Sequence, residues 1–120
     1  MDRNQNCFYK DVIMTKITIL KKNGKICEYQ VKGHSGYAEE GSDIVCSGIS
    51  TATQMALVGL KEVLKCKLKE DVKDGYLHVT IEDFERDDVQ KILKTMQLTL
   101  EDITKNYARY AKMEVKENVY

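Results

Sequence analysis

The chain has 120 residues, 42% of them hydrophobic and 32% charged, which fits one compact domain with a single core and argues against disorder. Lysine plus arginine number 19 and aspartate plus glutamate number 19, so no sequence-independent attraction to nucleic-acid phosphates is expected. No run of about 20 uncharged apolar residues and no signal-peptide core stand out; the reading is a cytoplasmic protein with no membrane partner.

Residues 1–13 follow no clean period and are read as an extension, with Met14 as an alternative start of a single domain over 14–120. Ile17 and Ile19 then alternate with Lys16 and Thr18, and Asn23-Gly24 is a strong hairpin signal. The second strand runs from about Lys25 to Val31, with Cys27, Tyr29 and Val31 on one face and Glu28 and Gln30 on the other. Cys27 is read as a packed core thiol.

Gly33 to Gly41 hold three glycines and no periodicity, the pattern of a loop. A long helix is expected from about Ile44 to Lys65, because Val45, Ile49, Ala52, Ala56, Leu60 and Val63 recur at three- and four-residue steps. It has no charge from Val45 to Leu60, so a position buried nearly all round is expected.

A second hairpin is expected at Asp74-Gly75, with Leu77, Val79 and Ile81 facing inward and His78 on the solvated side. Asp87 to Tyr107 reads as an amphipathic helix whose stripe includes Val89, Leu93, Met96 and Leu100, and whose paired aspartates suit its N-terminal dipole. Met113 and Val115 alternate with Lys112 and Glu114 in a closing strand. The order ββαββαβ predicts an α+β two-layer sandwich, a mostly antiparallel sheet with two helices on one face.

Four cysteines, Cys7, Cys27, Cys46 and Cys66, form no C-x-x-C pair. Free thiols are therefore expected rather than a disulfide framework or a zinc ribbon.

Reactive residue types gather between the second strand and the long helix. Cys46 is the candidate nucleophile, and a thiol ionised only to a few per cent at neutral pH needs help to attack. If Ser42 or Asp43 caps the helix, Cys46 falls in the first turn, where the dipole favours a thiolate. His34, at the strand end, is the candidate base and later proton donor. Asp43 is read as a cap or substrate contact ahead of a third catalytic member, since its charge opposes a thiolate nearby. The backbone amides of Cys46 and Ser47 are candidate oxyanion donors. Read from the residues alone, one His and one Cys twelve positions apart are a weak signal, and simple packing of both is the favoured reading.

The segment Gly33-His34-Ser35-Gly36-Tyr37-Ala38-Glu39, followed by Asp43-Ile44-Val45-Cys46-Ser47-Gly48, resembles the signature of the ribosomal-processing cysteine protease (Prp) family. The order of elements from about Thr15 to Val119, with the hairpin at Asp74 to Leu77, resembles that family as well. The resemblance implies a His34–Cys46 dyad, a loop hinged at Gly36 and Gly41, and no metal or cofactor. It also implies hydrolysis of a short N-terminal extension from a large-subunit ribosomal protein precursor, and a homodimer. Ser47 and Gly48 stand where many members carry alanines, a departure that leaves the dyad untouched. Glu39, Glu40 and Asp43 would suit a basic ribosomal substrate, or form a solvated loop. The rival readings are a noncatalytic binding module for a ribosomal protein, and a thiol metal or redox site at His34, Cys46 and Cys27. The second rival lacks the paired spacing that zinc sites use.

Overall fold

The computed structural model describes residues 14–33 and 40–117, with the side chains of residues 40–43 excepted. The extension over 1–13, His34 and Gly36 lie outside the described residues.

Strands β1 (Thr15–Lys22) and β2 (Lys25–Lys32) form the first hairpin. Asn23 and Gly24 have φ of 54° and 80°, the pair of positive values that an Asn-Gly hairpin turn demands. Helix α1 spans Glu40–Val58 and continues as a π-helical turn, Gly59–Val63. Strands β3 (Leu68–Lys73) and β4 (Tyr76–Ile81) follow, then helix α2 (Asp87–Asn106) and strand β5 (Ala111–Glu117).

The five strands make one mixed sheet in the order β3-β4-β2-β1-β5. Three neighbouring pairs are antiparallel, and β5 runs parallel to β1, Ile17 opposite Met113. The expected α+β sandwich and element order are therefore observed.

Alternation explains the core. Ile17 and Ile19 of β1, Tyr29 of β2 and Val79 of β4 point to the helix side, where Ile49 and Leu60 of α1 and Leu93 and Leu100 of α2 meet them. The opposite face carries Lys16, Glu28, Gln30 and Thr80, together with His78, whose Nε2 lies 2.5 Å from the Glu28 carboxylate. His78 is thus a half-buried, paired strand residue rather than a freely solvated one.

Three expectations are corrected. A bulge between Leu20 and Lys21 makes Cys27 the extra residue of β2, so Ile26 takes the helix-facing place in the alternation; Cys27 is nevertheless buried, as expected of a packed thiol, and its Sγ reaches the Leu20 carbonyl at 3.6 Å. The helix begins at Glu40, four residues earlier than its apolar period indicates, because polar first-turn residues belong to the helix without contributing to that period. It also ends differently. The Leu64 amide bonds to the Gly59 carbonyl at 2.9 Å, and Lys65 adopts φ of 52°, a left-handed stop. A Cβ on Gly59 would stand 2.9 Å from Ile92 Cδ1, so this glycine lets α2 approach closely.

The third correction concerns burial. By length and composition alone the stretch Ile44–Val63 is apolar enough to cross a membrane, yet it packs one stripe on the sheet, and 33% of its apolar stretch is buried. Met55 is 74% exposed and Ile44 64%, so α1 has an uncharged outer face rather than burial all round.

Candidate active site

A cleft of about 660 Å³ opens between α1 and the β3–β4 half of the sheet. Val31, Val72 and Leu77 line it from the sheet, and Ile49, Ser50, Thr53, Gln54 and Leu57 from the helix. Val72 pairs with Leu77 and so points to the helix side, but it belongs to the edge strand and stays 60% exposed.

Cys46, Thr15, Gly33 and Gly75 meet at one end of this cleft. The far end is marked by Leu57 and by Glu70, whose carboxylate accepts from Lys61. Helix α1 therefore presents Cys46 half-buried at the head of an elongated groove.

Backbone contacts fix that end. The Gly33 amide donates to the Gly75 carbonyl at 3.0 Å, tying the close of β2 to the second hairpin turn. Gly33 has φ of 153°, and a Cβ there would collide with the Thr15 Cα at 2.7 Å. Glycine is required at this position because β1 begins directly against it. The Thr15 amide in turn donates to the Tyr110 carbonyl at 3.0 Å.

The Thr15 hydroxyl oxygen lies 3.0 Å from the Cys46 sulfur. Thr15 carries no signal in the sequence; a threonine at the start of an alternating strand is ordinary. Only the packing of β1 beside α1 identifies it.

The other described thiols differ in setting. Cys66 is buried behind α1, where burial pushes its thiol up and the Asp83 carboxylate adds to the shift. Its Sγ points to the Lys67 carbonyl at 3.5 Å. Neither Cys27 nor Cys66 lines the cleft. Among the described residues no group of three or more His, Cys, Asp and Glu is arranged to hold a metal ion.

Sequence-derived site residues divide as follows. Cys46 lines the cleft and sits in the second turn, not the first, of a helix that begins at Glu40. In an α-helix each amide bonds to the carbonyl four residues back, so the Cys46 and Ser47 amides belong to the ladder and are not the free oxyanion donors anticipated. Gly41 falls inside the helix rather than in a loop, and Asp43 is the fourth helical residue rather than its cap. The Asp43 side chain lies outside the described residues.

Comparison with known proteins places these features in context. The family described as cysteine protease Prp matches residues 14–112. Ribosomal processing cysteine protease Prp of Staphylococcus aureus is 30% identical over 108 residues, 88% of this chain and 100% of the relative. A crystal structure of an essential ribosomal processing protease Prp from S. aureus with a substrate peptide is similar at TM-score 0.81 and 25% identity, covering 86% of this chain and 100% of that one. The same protease with a covalently linked product peptide matches at TM-score 0.78 and 26% identity, over 86% and 100% of the two chains.

Proposed function

The chain belongs to the cysteine protease Prp family, and from that membership we propose that it removes a short N-terminal extension from a large-subunit ribosomal protein with a Cys46–His34 dyad. The observation that carries this reading is Cys46 lining a cleft of about 660 Å³ between α1 and the sheet, beside Gly33. His34 is the next residue in the sequence after Gly33.

In the proposed reaction the Cys46 thiolate attacks the scissile carbonyl, and the imidazolium of His34 protonates the departing amine. The acyl-enzyme is then hydrolysed by a water that His34 deprotonates. A covalently linked product peptide in the S. aureus relative supports a step of this kind. Asp43 is kept as a substrate contact in the first turn of α1, and Gly36 as a hinge of the segment between the two catalytic groups.

The same proposal includes a cytoplasmic homodimer acting without a metal or cofactor. Support for the dimer comes from the outer face of α1, where Ile44, Met55 and Val58 are exposed and no charge intervenes between them. An apolar stripe of this kind is the sort of surface that a second copy covers.

Incubating the full chain with a ribosomal-protein precursor carrying its extension tests the reading. Cleavage abolished by Cys46→Ala and by His34→Ala is expected, and undiminished cleavage by Cys46→Ala would reject the nucleophile. Absence of cleavage with retained precursor binding would favour the noncatalytic module.

A further inference from the structure

The mechanism so far leaves the Thr15 side chain unused, although it touches the reacting atom. Thr15 is 3% exposed. Its hydroxyl lies 3.0 Å from the Cys46 sulfur, and among the described residues this is the hydrogen bond that hydroxyl makes. The side chain has little freedom to seek another. Its own amide is held by the Tyr110 carbonyl, and Gly33 closes against its Cα and hydroxyl so tightly that no Cβ fits between them.

A buried hydroxyl left without a partner keeps its full desolvation penalty, so the O–H turns to the acceptor within reach. With the thiol protonated, either atom can donate. Once the thiol has lost its proton, sulfur only accepts, and the direction is fixed: Thr15 Oγ1–H donates to Cys46 Sγ.

We infer that Thr15 is a further catalytic residue, whose hydroxyl donates to the Cys46 thiolate and aims it into the cleft. This deepens the reading of Cys46 as nucleophile and rests on it. Two effects follow from one bond. Stabilising the anion raises the share of reactive sulfur below its ionisation range, and the same stabilisation makes each thiolate a slightly weaker nucleophile. The contact also links the glycine before His34 to the nucleophile, because a single threonine touches both.

The experiment follows alkylation of Cys46 by iodoacetamide in the full chain, quantified by mass spectrometry of the Cys46 peptide, at pH 6 and at pH 9.5. Thr15→Val, which keeps the shape and deletes the hydroxyl, is expected to slow the reaction roughly tenfold at pH 6, the worth of a hydrogen bond to a charged group. At pH 9.5 it is expected to match or exceed the wild-type rate, and Thr15→Ser to behave as wild type at both values. An unchanged rate at pH 6, or an equal slowing at both pH values, would overturn the inference, the latter because it marks mere displacement of the sulfur. If Thr15→Val does not fold, Thr15→Ser against Thr15→Ala makes the same comparison. Precursor cleavage is measured alongside: a pH-dependent Thr15 effect in a protein that never cleaves upholds the contact while rejecting the protease reading.

Discussion

Gly33 packs on Thr15 so closely that a Cβ added to Gly33 would stand 2.7 Å from the Thr15 Cα, a backbone atom that cannot swing aside. The residue preceding His34 is therefore glycine for a steric reason that involves the first strand. Gly33→Ala forces β1 and β2 apart where the cleft begins and places an L side chain at φ of 153°. A loss of about 2 kcal/mol or more in stability is expected, together with loss of cleavage. Thermal melts and peptide assays on the variant check both; a melting temperature equal to wild type would contradict the contact.

Val72 is exposed yet faces the cleft, which suits a side chain reserved for substrate. Val72→Asp is expected to lower kcat/KM about tenfold, chiefly through KM, since covering a valine contributes roughly 1.5–3 kcal/mol. Stability should change by no more than about 0.5 kcal/mol, as for other exposed positions. Steady-state kinetics with a peptide spanning the extension, beside a denaturant titration, measures the two effects separately.

Met55, 74% exposed on α1, is the sensitive point of the proposed dimer face. A carboxylate there would be buried without a partner on association, so Met55→Glu is expected to weaken the dimer about a hundredfold or more. Sedimentation equilibrium on the wild type and the variant gives the answer; a dimer of unchanged affinity would assign the interface to another surface.

Two helical glycines should respond differently to alanine. A Cβ on Gly48 would meet Ile103 Cδ1 at 3.8 Å, ordinary contact, whereas on Gly59 it would meet Ile92 Cδ1 at 2.9 Å. Gly48→Ala is expected to gain about 0.5–1 kcal/mol by removing the backbone freedom of glycine, a rise of roughly 4 °C. Gly59→Ala should show no such gain, because the Ile92 side chain must shift to admit it. Calorimetry of the pair tests the contrast.

The alkylation chemistry of the remaining thiols follows from burial. Cys66 is shielded and its thiol is pushed up by that shielding and by Asp83. A folded-state value above the unfolded one means that the folded form holds its proton more tightly, so the stability this group contributes is present below the unfolded value and fades as pH rises through the folded one. Cys66→Ala is therefore expected to reduce the alkaline destabilisation expected above about pH 9, near the ordinary thiol range. Unfolding free energies measured from pH 7 to 10.5 would show it, and an identical slope in the variant would refute it.

Much of the architecture was legible because it is written locally. Period-two alternation marked β1, β2 and β4, Asn-Gly and Asp-Gly marked both hairpins, and the stripe from Val89 to Leu100 marked α2, each within a dozen or so neighbouring residues. The boundaries of α1 were not, since Glu40 to Asp43 belong to the helix without joining its apolar period, and the π turn at Gly59 answers to Ile92 on another helix. The motif around His34 and Cys46 pointed to a chemistry only through its resemblance to the Prp family, because residue types and spacing alone left simple packing open.

What the tertiary structure alone decided are the meetings across long chain separations. Nothing near Ala111 in sequence says that β5 runs parallel beside β1, and nothing near Thr15 says that its hydroxyl reaches a sulfur 31 residues away. The bulge that takes Cys27 out of the alternation of β2, the glycine that β1 leaves room for, and the exposed apolar outer face of α1 share that origin. Local sequence sets each element's dihedral preferences and apolar face; which elements touch depends on how those faces pack together, and a residue such as Thr15 acquires its role only there.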